Sequence, residues 1–134
     1  MKLILSCDGG SRGNPGPSAT GVVLKNEHGE VVAAYGEYLG IQTNNIAEYS
    51  ALLSGLKKAK ELGANEVDCI LDSELIVKQM NGQYKVRNPG LQKIFLQIYN
   101  LRHNFNKVTF RHTLRAGNKE ADAEVNKVLD QHMH

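Results

Sequence analysis

Four carboxylates stand where a purely structural protein has little use for them. Asp8 closes the run Leu3-Ile4-Leu5-Ser6-Cys7, and Asp72 closes Val67-Asp68-Cys69-Ile70-Leu71. Each run reads as a strand with a carboxylate at its C-terminal end. Ligands of open α/β sheets bind beyond the carboxyl ends of strands, so adjacent strands would bring Asp8 and Asp72 to one edge. Glu48 shares a helical stripe with Leu52, Gly55, Ala59 and Leu62, and Asp122 shares one with Val125 and Leu129. Both therefore lie on faces turned to the core. Taken singly, each has a plainer use as a carboxylate on the margin of a stripe, paired to a lysine. Taken together they point to convergence, because both helical carboxylates fall in the first turn or two.

Convergence dictates a chemistry. Two like charges about 5 Å apart repel by roughly 3 kcal/mol at an effective dielectric of 20. Such a cluster therefore protonates or takes up cations. An all-oxygen site with open positions suits Mg²⁺ or Mn²⁺, and no Cys/His cluster with zinc spacing exists in the sequence. Two Mg²⁺ ions roughly 3.5–4 Å apart would clamp the attacking and leaving oxygens of an in-line displacement at phosphorus. The charge distribution supplies a surface for a phosphodiester. From Leu75 to Lys119 there is no Asp or Glu but nine Lys and Arg, so this stretch is +9 and the remainder −7 behind a net charge of +2. Segregation of this kind lets one part hold a polyanion beside an acidic centre; its plainer meaning is a solvated basic helix and strand.

The elements that must position these groups follow from periodicity and punctuation. Residues 2–8 read as a strand. Gly9–Pro17 reads as loop because of its Gly and Pro density. Ala19–Asn26 and Glu30–Tyr38 read as two strands joined by a turn at Asn26–Gly29. Asn44 or Asn45 caps a helix to about Leu62, stopped by Gly63. Glu66–Leu71 is a strand, and Ser73 to about Met80 a short helix. Asn88-Pro89 opens a helix to about His103. Lys107–His112 is a fifth strand and Asn118 to about Gln131 the last helix. The order βββαβααβα predicts an α/β fold: a five-stranded mixed sheet, three antiparallel strands then two parallel, with helices on both faces.

At 134 residues, with 41% hydrophobic and 22% charged, the chain is expected to be a single globular domain, residues 1–134, rather than disordered. No apolar run approaches the length of a membrane span, and the N-terminus is too soon interrupted by charge for a signal peptide. Two cysteines, Cys7 and Cys69, cannot build a disulfide scaffold. They could bridge only if their strands are neighbours. The expected setting is cytoplasmic, with both thiols reduced, and nothing in the sequence demands more than a monomer.

The sequence resembles a type 1 ribonuclease H along nearly its whole length. The pieces that carry the resemblance are Asp8-Gly9-Gly10-Ser11 with Gly13-Asn14-Pro15-Gly16-Pro17, then Thr43-Asn44-Asn45-Ile46-Ala47-Glu48, then Asp72-Ser73, then His112 with Asn118-Lys119-Glu120-Ala121-Asp122. Any one is weak; four in order, each bringing a carboxylate already singled out or its neighbour, are specific. The resemblance implies metal-dependent endonucleolytic hydrolysis of the RNA strand of an RNA–DNA hybrid, leaving 3′-hydroxyl and 5′-phosphate ends, with double-stranded RNA a further conceivable substrate. It implies two Mg²⁺ ions, replaceable by Mn²⁺, held by Asp8, Glu48, Asp72 and Asp122. Asp8 would bridge both, Asp122 would complete the side of the attacking water, and Glu48 and Asp72 the leaving side. Gly9 and Gly10 would bring backbone against 2′-hydroxyls, Asn14, Asn44 and Asn45 would reach base edges or sugars, and Thr43 would hold a DNA-strand phosphate. Ser73 would line the substrate site. His112, on a loop after the last strand, would assist proton transfer or product release; in some members an arginine does this, and Arg115 stands in that place. The plainer uses are turn chemistry for Asn14, capping for Asn44 and Asn45, and a surface histidine for His112.

The pattern also departs from that family. The long basic, Trp-containing protrusion of its better-known members is missing: Met80–Pro89 runs straight into the next helix and the chain has no Trp. The separate N-terminal hybrid-binding module of some members is not expected here. Hybrid affinity would then rest on Lys78, Lys85, Arg87 and Lys93. The rival readings are a non-catalytic nucleic-acid-binding domain of the same shape, which gains nothing from four carboxylates beside a phosphate, and a nucleotide-binding phosphotransfer enzyme, for which no Walker-type loop is present.

Overall fold

The computed structural model describes residues 1–132; His134, expected in a polar tail, lies outside the described residues. Five strands form one sheet: β1 (Lys2–Ser11), β2 (Gly16–Lys25), β3 (Val31–Gln42), β4 (Glu66–Leu71) and β5 (Lys107–His112). The helices are α1 (Asn44–Glu61), α2 (Glu74–Met80), α3 (Pro89–Arg102) and α4 (Lys119–His132), the last preceded by a 3₁₀ turn at Arg115–Asn118. The sheet order is β3-β2-β1-β4-β5. β1–β2 and β2–β3 are antiparallel, while β1–β4 and β4–β5 are parallel, the mixed sheet that the element order predicts.

The strand alternation separates two cores. Leu3, Leu5, Cys7, Val22, Leu24, Val67, Cys69 and Leu71 pack against α1, α2 and α3 in one, and Ala19 packs with Val125, Val128 and Leu129 of α4 in the other. Residues of opposite parity thus serve opposite faces. Cys7 and Cys69 sit on neighbouring strands, but Cys69 aligns with Leu5, and both thiols are free and buried.

Several boundaries differ from expectation. The Gly-rich run is not all loop: β1 continues to Ser11 and β2 begins at Gly16, paired Gly9–Thr20 through Ser11–Ser18, because three residues without proline keep every backbone donor the ladder needs. β3 runs on to Gln42. α1 is capped by Thr43, whose Oγ1 accepts from the Ile46 amide at 3.2 Å, so neither Asn44 nor Asn45 is the cap. His132, expected in the tail, ends α4 and stacks on Tyr38 with ring centroids 4.2 Å apart.

Two glycines set how closely the site's helices approach. A Cβ on Gly9 would lie 2.1 Å from the Ala47 carbonyl carbon, and one on Gly21 would lie 2.1 Å from the Ala121 carbonyl oxygen. Gly9 is next to Asp8, and Gly21 pairs with Asp8 across the sheet. Their bare backbones therefore let α1 and α4 close on Asp8 from the two faces. Gly21→Ala is expected to destabilise the fold by about 2 kcal/mol or more, since the clash is with backbone and not with a movable side chain; a urea midpoint at the wild-type value would refute this.

Candidate active site

The convergence of the carboxylates follows from register. The β1–β4 ladder runs from Lys2–Glu66 to Ser6–Ile70, and two further residues along each strand set Asp8 opposite Asp72, just where the strands part. β1 goes on with β2 alone, so Asp8 lies at this parting rather than at the strand's end. Glu48 arrives on the second turn of α1, seated on Gly9. Asp122 arrives on the first turn of α4, one residue after the carbonyl seated on Gly21. Carboxylate oxygens of Asp8, Glu48 and Asp72 lie within 4.8 Å of one another. Asp122 lines the same cleft and acts on the Asp8 carboxyl. All four line one open cleft of about 500 Å³, together with Gly9, Gly10, Ser11, Arg12, Asn44, Arg115 and Asn126.

The electrostatics are those of crowded, partly dehydrated acids. Burial and then the Asp72 charge push the Asp8 carboxyl up to about 7, with Asp122 and Glu48 adding to the rise. Burial and then Asp72 likewise raise Glu48 to about 7, against the Ser73 hydroxyl and the Arg115 guanidinium, which favour its ionised form. The donor set is all carboxylate oxygen, without His or Cys, and its excess negative charge is uncompensated by any cation bonded to Asp8, Glu48 or Asp72 among the described residues. Those are the features of a site that could hold a hard divalent cation.

The remaining candidates divide. Asn14 and Asn44 brace each other's loops: Asn14 Oδ1 accepts from the Asn44 amide at 3.1 Å, and Asn44 Oδ1 accepts from the Ser11 amide at 2.9 Å. Each carbonyl is thereby committed, which leaves each NH₂ as a donor for something outside the chain. Thr43 and Ser73 cap α1 and α2, and Asn45 is exposed on the first turn of α1. Arg115 lies in the cleft wall facing Glu48. His112 is the last residue of β5 rather than a loop residue. It shares the face of Phe110, lies near Glu74 of α2 and does not line the cleft. Asn118, taken from the sequence as the start of the last helix, is buried in the 3₁₀ turn, and its Nδ2 donates to the Cys7 carbonyl at 2.9 Å. This fixes the approach to α4 against the residue before Asp8. Asn126 and Arg12 also border the cleft and escaped the sequence reading. Asn126 was findable as a polar residue one turn beyond Asp122, whereas nothing local marks Arg12.

Comparison with known proteins sets this site in a lineage. Residues 6–128 match the family described as reverse transcriptase-like. The bifunctional protein Rv2228c of Mycobacterium tuberculosis is 42% identical over 131 residues, covering 97% of this chain and 36% of the relative. The chain thus spans about a third of the length of that relative. Ribonuclease HI of Halobacterium salinarum is 40% identical over 123 residues, covering 92% of this chain and 62% of the relative. The crystal structure of the Halobacterium RNase H1 superposes with a TM-score of 0.95 at 37% identity, covering 98% of this chain and 99% of that one. LC11-RNase H1, isolated from compost by a metagenomic approach and solved in complex with an RNA/DNA hybrid, gives a TM-score of 0.94 at 39% identity, covering 98% and 99%. Likeness of this degree, in sequence and in fold and over almost the whole chain, leaves one conclusion: the chain belongs to the type 1 ribonuclease H family.

Proposed function

We propose that this chain hydrolyses the RNA strand of RNA–DNA hybrids as a metal-dependent endonuclease, yielding 3′-hydroxyl and 5′-phosphate ends. The observation that carries the reading is the meeting of Asp8, Glu48 and Asp72 within 4.8 Å, with Asp122 against Asp8. A binding module would gain nothing from such a charge beside a phosphate. The four carboxylates would hold Mg²⁺, two ions per site with substrate, and Mn²⁺ would substitute. Metal held there would supply the charge that lowers the pKa of the attacking water and stabilises the charge developing at phosphorus. In the hydrolysis, water oxygen forms a bond to phosphorus as the bond to the 3′-oxygen breaks, and that oxygen leaves protonated.

The chain's own groups orient the substrate. The free NH₂ groups of Asn14 and Asn44 offer donors to the acceptors of a wide, shallow groove, where base edges and 2′-hydroxyls are displayed. Gly10 lines the cleft with bare backbone, where a Cβ would press on Val125 of α4 at 3.2 Å, and so offers main-chain groups to the duplex. Lys78, Lys85, Arg87 and Lys93 supply phosphate contacts, so hybrid binding should weaken steeply with salt.

Cleavage of a strand-labelled hybrid in Mg²⁺, compared with duplex DNA, duplex RNA and EDTA controls, tests the proposal. RNA cut in the hybrid alone, and only with metal, is the expected result; an intact RNA strand overturns it. The placement of Arg115 in the cleft, with His112 outside it, makes a second expectation. Arg115→Ala should lower kcat by about tenfold or more, and His112→Ala by clearly less. Equal or reversed losses under single-turnover conditions would return the assisting role to His112.

A further inference from the structure

Beyond the four carboxylates the cleft runs on along α4, where two side chains reach Asp122 from outside the cluster. Asn126 Nδ2 donates to the Asp122 main-chain carbonyl at 3.2 Å and to its Oδ2 at 3.3 Å. Arg12, from the turn between β1 and β2, places Nη2 3.5 Å from Asn126 Oδ1 and 2.6 Å from Asp130 Oδ1. Asp122, Asn126 and Asp130 are spaced four apart, so they line one stripe of α4, and Arg12 reaches that stripe across the cleft's edge.

We propose that Asn126 and Arg12 are positioning residues for Asp122. An amide has one acceptor end and one donor end. With Arg12 donating to Oδ1, the NH₂ end of Asn126 must face the Asp122 carboxylate. The two bonds from Nδ2 to Asp122 favour the same orientation; without the guanidinium the exposed amide loses its anchor at Oδ1 and swings away from Asp122 more readily. Arg12, steadied by Asp130, therefore holds the Asn126 amide in place, and Asn126 sets where the Asp122 carboxylate points relative to Asp8. Partners of this kind, which orient a metal-holding carboxylate without touching the metal, matter to metal affinity far more than to folding. Exposed ion pairs such as Arg12–Asp130 add little to stability, so the network's effect on function and its effect on folding are separable.

The inference rests on the metal-dependent cleavage proposed above, and its test keeps the two apart. Arg12→Ala, Asn126→Ala and the double variant are compared with the unaltered chain in hybrid cleavage across a Mg²⁺ series and in the rise of Tm that Mg²⁺ produces. Each single variant should raise the half-saturating Mg²⁺ by about tenfold and shrink the Mg²⁺-induced rise in Tm at low Mg²⁺. The double variant should be no worse than the worse single one. KM for hybrid at saturating Mg²⁺ and Tm without metal should stay near the unaltered values, and Arg12→Lys should recover part of the loss. An unchanged Mg²⁺ requirement, multiplying losses in the double variant, or a rise in KM in its place would overturn the network; the last would make Arg12 a phosphate contact. A loss that tracks a fall in metal-free Tm would also overturn it. If the unaltered chain fails to cleave, the proposed function falls, and the Mg²⁺-induced Tm shifts still decide the network.

Discussion

Asp8→Asn is expected to lose hybrid cleavage in Mg²⁺ by about 10⁴-fold or more while hybrid binding is retained. Asp8 is the one carboxylate that meets all three others: it opposes Asp72 by register, adjoins Glu48 through the Gly9 contact, and approaches Asp122. Asparagine has nearly the same volume, so the loss is of charge and not of packing. Its NH₂ would also aim a donor where a cation belongs. In the proposed function binding would rest elsewhere, on the free amides of Asn14 and Asn44 and on the lysines and arginines between residues 75 and 119, none of which the substitution touches. Asp72→Asn should behave alike. Cleavage of labelled RNA measures the first effect, and fluorescence anisotropy of labelled hybrid in Ca²⁺ the second. Activity within about tenfold of the unaltered chain, or binding lost in step with cleavage, would remove the carboxylates from the centre of the chemistry.

What the sequence revealed of this site, and what it hid, has a physical pattern. The carboxylates were legible because they violate local rules: Glu48 and Asp122 sit on apolar stripes, and Asp8 and Asp72 end apolar runs. Strands β4 and β5 and helix α3 were legible to within a residue or two, since their punctuation is strong: Asn88 caps α3 by accepting from the Gly90 and Leu91 amides. The first strand's extension through Gly9-Gly10-Ser11 was hidden, because glycine reads as a loop signal while serving here to let α1 close on the sheet. Choosing Thr43 over Asn44 as the cap of α1 was not a local decision. Asn44 Oδ1 is taken by the Ser11 amide, a partner thirty-three residues away. The facing of His112 depended on strand parity: it falls with Phe110, on the side of α2, and away from the cleft. Arg12 and Asn126 meet across more than a hundred residues of sequence, and only the packed fold brings them together.

The metal-free protein should lose stability as pH rises from about 4 to about 8, and Mg²⁺ should restore it. Asp8 and Glu48 ionise near 7 when folded, against ordinary values of 3.8 and 4.5, because burial and neighbouring carboxylates oppose their charge. A carboxyl whose folded pKa is raised favours the folded state while protonated. Its contribution is complete below the unfolded pKa and is lost as pH climbs through the folded one. For buried Asp8 alone, three pH units correspond to on the order of 4 kcal/mol, or a fall in Tm of about 15 °C for a chain of this size. Cations that bind only the folded cluster reverse the trend by mass action, and they do so most at high pH, where protons no longer compete. Asp8→Asn removes the group that suffers most. It should raise Tm without metal at pH 8, flatten the pH profile, and abolish most of the Mg²⁺ effect. Melting curves of both chains at pH 5 and 8, with EDTA and with excess Mg²⁺, separate these outcomes. A variant that melts lower than the unaltered chain at pH 8 in EDTA would show that the crowded carboxylates cost the fold nothing, and the case for cations there would lose its physical basis.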